Sequence, residues 1–106
     1  MSKSIRFLFA LAIAFSLSGA LGFAQSGEAV YKAKCQSCHG AAGIPNPGIA
    51  KIMGVKPITA ASVKTTSEAE MIKATANGMG KMQPFKGKIS DAEIKSSVQY
   101  FRSLAK

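Results

Sequence analysis

The run Cys35-Gln36-Ser37-Cys38-His39 determines the fold class of this 106-residue chain. It places two thiols three positions apart, with an imidazole directly after the second. In this C-x-x-C-H spacing two cysteines can attach covalently to a haem, and the histidine can ligate its iron. The run therefore predicts one haem c bound through thioethers to Cys35 and Cys38, with His39 as an axial ligand.

Two other sites can contain a C-x-x-C pair. A zinc site needs about four ligands, and the chain has only two cysteines and one histidine. A redox dithiol of the thioredoxin type needs a βαβ context, whereas the residues around Cys35 are rich in Ala, Lys and Gly and lack a β-branched run. A disulfide remains the alternative to haem attachment.

The N-terminal residues resemble an export signal. Lys3 and Arg6 precede an uncharged apolar stretch, Phe7 to Leu21, and Gly22-Phe23-Ala24 supplies small residues for a signal peptidase. We therefore predict that residues 1–24 are a cleavable signal peptide and that residues 25–106 form one domain, exported or periplasmic. An uncleaved membrane anchor is the alternative, because the uncharged stretch approaches the length of a membrane span.

The mature part is small and basic. A domain of this size has a thin apolar core, and a covalently held haem would stabilise it. Without Lys3 and Arg6 the chain has twelve basic and five acidic residues, and only one of the twelve is arginine. Dispersed lysines favour weak docking to acidic proteins, and the absence of an arginine cluster or aromatic platform argues against nucleic acid.

Helical patterns account for most of the mature chain. The first predicted helix runs from about Gly27 to Cys35, with Ser26 as its N-cap. Ser67-Glu68-Ala69-Glu70 and Ser90-Asp91-Ala92-Glu93 are capping boxes that begin two more, and Asn77-Gly78 ends the second helix. The third carries an apolar stripe of Ile94, Val98, Phe101 and Leu104 or Ala105.

The stretch between residues 40 and 63 is interrupted by glycine and proline, so we predict a loop with a short helical turn near Ile49–Met53. Its many apolar residues favour a role in covering a flat apolar group. They are Ile44, Ile49, Ile52, Met53, Val55 and Ile58.

Because His39 is the only histidine, the axial position opposite it takes another protein donor, takes water or is left open. Methionine sulfur is a suitable soft donor. Met53 and Met71 lie where packing is expected. Met79 and Met82 lie in Asn77-Gly78-Met79-Gly80-Lys81-Met82-Gln83-Pro84-Phe85, where glycine and proline allow the backbone to approach a cofactor.

From the haem run to the C-terminal helix, this order of motifs resembles the small class I bacterial cytochromes c. The resemblance covers nearly all of residues 25–106 and implies an all-α fold, with about three main helices and loops wrapped around one covalent haem. It assigns the second axial position to Met82, ahead of Phe85 and Gly87-Lys88-Ile89-Ser90. Gln83 departs from the family pattern, in which proline follows the ligand directly, and Met79 is the rival.

The resemblance implies two further roles. A proline carbonyl accepts a hydrogen bond from the second nitrogen of the ligand histidine, which maps onto Pro47, with Pro45 close by. The first and last helices cross at a small residue against an aromatic ring, which maps onto Gly27 and Tyr100.

The predicted function is one-electron transfer rather than catalysis. Two protein ligands would leave the iron no position for substrate, and a His/Met pair raises the potential relative to bis-His. Acidic-surfaced redox proteins (an oxidase, reductase or dehydrogenase) are the expected partners of a monomer without a membrane span. Lys34, Lys81, Lys86 and Lys88 are the candidate docking charges. The alternatives are a dedicated haem subunit of one oxidoreductase and a five-coordinate haem that binds gases or peroxide.

Overall fold

The computed structural model describes residues 25–105, so the predicted signal peptide, residues 1–24, lies outside the described part. The described residues form helices joined by loops. In chain order they are α1 Gly27–Lys34, α2 Gln36–His39, α3 Pro47–Met53, α4 Ala61–Lys64, α5 Glu68–Asn77 and α6 Asp91–Ser103. The three predicted helices are confirmed as α1, α5 and α6, and the shorter α2, α3 and α4 lie between α1 and α5.

The helix starts follow the predicted capping chemistry. Ser26 accepts a hydrogen bond from the Ala29 amide at the start of α1. Ser67 and Ser90 each form a complete capping box, the first with Glu70 and the second with Glu93. These side chains pair amides that a helix leaves without internal partners, so the sequence alone sets three helix starts.

The core lies where α1 and α5 pack against α6. Its fully or nearly buried apolar residues are Val30, Tyr31, Ile58, Phe85, Ile94 and Val98. These come from α1, α6 and both long loops, so the loops are part of the core. The apolar stripe predicted on α6 is confirmed at Ile94 and Val98.

The crossing of α1 and α6 differs in detail from the prediction. Gly27 lies against the backbone of Ser96, and a Cβ there would overlap the Ser96 carbonyl. Tyr100, the aromatic residue expected at this crossing, lies one turn further along α6 and packs on Tyr31 with ring centroids 5.2 Å apart. The small residue is needed for backbone contact, and the aromatic pair forms beside it.

The glycine-rich segment after the haem run is more regular than the sequence predicts. A helix begins at Pro47, two residues before the expected turn, because the Asn46 side chain accepts a hydrogen bond from the Gly48 amide and proline is suited to a first helical position. The Ile58 amide donates to the Gly43 carbonyl at 2.8 Å, which closes the segment on itself.

Candidate haem site

The Cys35–His39 run is a short helical turn, α2, that follows α1 almost without interruption. Cys35 belongs to neither helix and its amide donates to the Tyr31 carbonyl at 2.9 Å. The Cys35 carbonyl accepts from the amides of Cys38 at 3.2 Å and His39 at 2.9 Å. One turn of backbone therefore holds both thiols and the imidazole together.

Both cysteines are unpaired thiols and each is half-buried. Burial, and then the neighbouring Cys38, raise the pKa of Cys35 to about 11. A redox dithiol requires the opposite, a lowered thiol pKa that yields a reactive thiolate. The thiols therefore do not form a disulfide here, and their environment does not suit a thioredoxin-type role.

His39 is half-buried, and burial lowers the pKa of its imidazole below the ordinary value. Its ring packs edge-on against Phe101, with centroids 5.1 Å apart. The neutral imidazole that this environment favours is the form that ligates a metal. Within residues 25–105 no group of three His, Cys, Asp or Glu side chains is arranged to hold a metal ion, which argues against the zinc alternative.

The hydrogen bond predicted from His39 to the Pro47 carbonyl is not made. Among the described residues Nδ1 of His39 is a buried polar atom without a hydrogen-bond partner. Pro47 is exposed as the first residue of α3, so helix geometry directs its carbonyl to the amide four residues later. Pro45, the neighbour that the sequence left as its rival, is buried.

Met79 and Met82 are paired across a tight turn. The Met79 amide donates to the Met82 carbonyl at 3.1 Å, and the Met82 amide donates to the Met79 carbonyl at 2.9 Å. Gly80 takes a φ of 59° at the first central position of the turn, which a side chain would disfavour. Because directly opposed residues of an antiparallel pair project to the same face, both thioethers lie on one side. Met82 is half-buried, whereas Met79 is 69% exposed.

The chain beyond Met82 is held against the end of α5. The Phe85 amide donates to the Thr75 carbonyl at 3.0 Å and the Lys86 amide to the Ala76 carbonyl at 3.1 Å. These are carbonyls of the last turn, which lack partners inside the helix. A Cβ on Gly78 would lie 2.9 Å from the Met82 carbonyl oxygen, so the methionine turn requires glycine there.

Gln83, the departure from the family pattern, has a local role. Its side-chain carbonyl accepts a hydrogen bond from Nζ of Lys88 at 2.8 Å. The same ammonium lies 6.0 Å from the centroid of the Phe85 ring, at the edge of the range for a cation–π contact. Gln83 thus links the methionine turn to the entry of α6.

A long-range hydrogen bond joins this turn to α3. Nζ of Lys81 donates to the Ile52 carbonyl at 2.6 Å, across 29 positions of sequence. Ile52 lies in the last turn of α3, where carbonyls lack helical partners and the helix dipole favours a cation. No local pattern in the sequence predicts this contact.

The residues present fit a covalent haem. Ile44 and Ile52 are 49% and 69% exposed in the segment predicted to cover an apolar group, whereas Ile58 of that segment is only 2% exposed. The described part of the chain thus leaves apolar side chains uncovered by its own core. Two free thiols, a half-buried imidazole and a thioether on a fixed turn are the kinds of donor that bind haem c.

Comparisons with known proteins agree with this site. Residues 22–101 match the family model described as cytochrome C oxidase, cbb3-type, subunit III. The chain is 39% identical over 77 residues to a cytochrome c6 from Leptolyngbya boryana, covering 73% of this chain and 87% of the relative. The solved KustC0563 c-type cytochrome superposes with a TM-score of 0.69 at 28% identity, covering 77% of this chain and all of the other.

These matches confirm the all-α cytochrome c fold and covalently bound haem c, and they support a haem electron-carrier role. With the C-x-x-C-H run, the helical fold and a family match over three quarters of its length, the chain belongs to the cytochrome c oxidase, cbb3-type, subunit III family and is a small monohaem c-type cytochrome.

Proposed function

We propose that the mature protein is a one-electron carrier in which Cys35 and Cys38 hold the haem through thioethers while His39 and Met82 provide the axial ligands. The observation that carries this proposal is the half-buried imidazole of His39, with its lowered pKa, in the same helical turn as two free thiols. When bound, the haem supplies reversible exchange of one electron at its iron.

The chain's own residues set the conditions for that exchange. With His39 and Met82 both holding the iron, neither oxygen nor a substrate would find a vacant coordination site. A thioether would favour ferrous iron, and the Phe101 ring against His39 would make the surroundings of the imidazole more apolar. Both effects raise the reduction potential relative to an exposed bis-His site.

The proposal includes an exported protein and acidic partners. Residues 1–24 act as a cleaved signal peptide, so the 25–106 domain works outside the cytoplasm. The domain acts there as a monomer. No helix within residues 25–105 has the length and apolarity to cross a bilayer. Lys81, Lys86 and Lys88 are exposed around the methionine turn and Lys34 beside the haem run, where they can meet an acidic surface.

The test is the visible spectrum of the oxidised and reduced protein, matured with haem-attachment machinery. We expect pigment that survives acid-acetone extraction and a far-red methionine-to-iron band in the oxidised form. Met82→Ala should abolish that band, and the matched variant Met79→Ala should retain it. A colourless precipitate after extraction would exclude haem c. A band lost only in Met79→Ala would transfer the ligand role to Met79, and no band in the wild type would favour the five-coordinate haem.

A second candidate function is a dedicated haem subunit of one oxidoreductase. The matched family is described as a subunit of an oxidase, which favours this alternative. Size-exclusion chromatography of both the soluble extract and the gently solubilised membrane of native cells separates the two functions. A carrier elutes at the size of the free domain, whereas a subunit co-elutes with its complex.

A further inference from the structure

Tyr31 makes hydrogen bonds at both ends of the haem-binding run. Its backbone carbonyl accepts from the Cys35 amide at 2.9 Å, at the first residue of the run. Its hydroxyl donates to the Gly40 carbonyl at 2.5 Å, directly after His39. One residue of α1 therefore brackets the whole five-residue run.

The Tyr31 ring is held rigidly. The residue is 1% exposed, its ring centroid lies 5.2 Å from that of Tyr100, and it stacks on Phe101 at 5.9 Å. A ring held on two sides points its hydroxyl in one direction, so the bond to Gly40 needs little further ordering. Burial, and then the charges of Cys35 and Tyr100, raise the pKa of Tyr31 to about 12, which keeps the hydroxyl protonated as a donor.

Gly40 is the point at which the chain leaves the haem run. Its φ is 83°, and a Cβ there would overlap the Ile44 carbonyl. Its carbonyl also accepts from the Gly43 amide at 3.2 Å. The Tyr31 hydroxyl therefore donates to the carbonyl of a residue whose backbone conformation is already restricted. This hydrogen bond fixes the direction in which the chain leaves His39.

Phe101 provides a second connection between Tyr31 and His39. Its ring stacks on Tyr31 and meets the His39 ring edge-on at 5.1 Å. A movement of the Tyr31 ring would therefore shift the position of His39 in two ways, through the Gly40 backbone and through the Phe101 ring.

We infer that Tyr31 is a positioning residue whose hydroxyl, through the Gly40 carbonyl, fixes the orientation of the His39 imidazole toward the haem iron. This inference rests on the proposed ligation by His39. The hydroxyl does not contact the imidazole itself; it limits the backbone that carries it.

The test compares Tyr31→Phe with Tyr100→Phe in the haem-loaded protein. Both changes remove one hydroxyl from the same aromatic pair, but only Tyr31 donates to Gly40. The measurements are the paramagnetic NMR shifts of the His39 ring and haem methyls in the oxidised protein, the midpoint potential, and the urea unfolding midpoint. We expect Tyr31→Phe to change the NMR shifts and the potential, and Tyr100→Phe to leave both at the wild-type values.

Two results would overturn the inference. If Tyr31→Phe lowers only the unfolding midpoint, the hydrogen bond to Gly40 stabilises the fold but does not orient His39. Equal changes in both variants would assign the effect to aromatic packing. The wild-type NMR spectrum separates either result from a failure of the proposed function, because His39 ring resonances are strongly hyperfine-shifted only if the imidazole ligates the iron.

Discussion

Gly27 and Ser96 bring the backbones of α1 and α6 into direct contact. The space beside Gly27 is filled by the Ser96 carbonyl, so the two helices meet without an intervening side chain. The core residues Val30, Tyr31, Ile94 and Val98 lie within one or two turns of this contact. The crossing thereby sets the distance between the haem run, which follows α1, and Phe101 on α6.

We predict that Gly27→Ala destabilises the domain by about 1–3 kcal/mol, because the added methyl group overpacks a closed interface. Urea unfolding of the haem-loaded protein measures the change. Gly48→Ala is the matched control: a Cβ there would lie 3.3 Å from the Asn46 side chain, a far milder contact than the overlap with the Ser96 carbonyl at Gly27, so its effect should be smaller. Equal stability of Gly27→Ala and wild type would contradict the backbone contact.

We predict that the hydrogen bond between Lys81 and Ile52 slows the release of Met82 from the haem iron, because it holds the methionine turn against α3. Lys81→Leu removes this bond, which contributes about 1 kcal/mol, so external imidazole should displace the methionine about fivefold faster. Loss of the far-red band after mixing with imidazole gives the rate. Lys86→Leu removes the same charge from a neighbouring exposed lysine and should leave the rate near that of wild type. Similar acceleration in both variants would attribute the effect to charge alone.

The capping box of α6 predicts an acid-sensitive contribution to stability. Hydrogen bonds from the Ser90 backbone, and then its side chain, lower the pKa of Glu93 below its ordinary value. The carboxylate therefore stabilises the fold above the pKa of an unfolded glutamate, and this contribution is lost as pH falls through the lower native pKa. In Glu93→Gln it should be absent at every pH.

Unfolding curves of wild type and Glu93→Gln between neutral and acidic pH measure this contribution. The stability difference between them should be largest near neutrality and shrink in acid. Glu68→Gln, in the first turn of α5 but outside the Ser67–Glu70 box, is the matched control for the loss of one carboxylate charge. If the difference in unfolding free energy between wild type and Glu93→Gln does not change with pH, the acid-sensitive contribution is not due to Glu93.

The exposed lysines predict salt-dependent association with acidic redox proteins. The association rate should fall as ionic strength rises, because screening weakens the attraction between exposed charges. Lys86→Glu should slow association at low salt more than Lys95→Glu, since Lys95 lies on α6 outside both ligand segments. Stopped-flow electron transfer over a range of salt concentrations tests both statements. A rate indifferent to salt would remove the docking role of these lysines.

The amino-acid sequence by itself determined the features that depend on neighbouring residues. The C-x-x-C-H run, the two capping boxes and the apolar stripe of α6 each act within one or two helical turns, so their spacing is enough to predict haem attachment, helix starts and the buried face. The resemblance carried by these motifs implied the all-α cytochrome c fold, and the comparisons confirm it.

Only the tertiary structure decided the contacts between distant segments. Lys81 with Ile52, Phe101 with His39 and Tyr31 with Gly40 each depend on how two or more elements pack, and no local spacing encodes that geometry. The expected hydrogen bond to Pro47 fails for the same reason, because the Asn46 cap starts a helix at Pro47 and its carbonyl then belongs to that helix. Local patterns select elements, whereas the positions of ligands and their supporting groups follow from burial of the shared core.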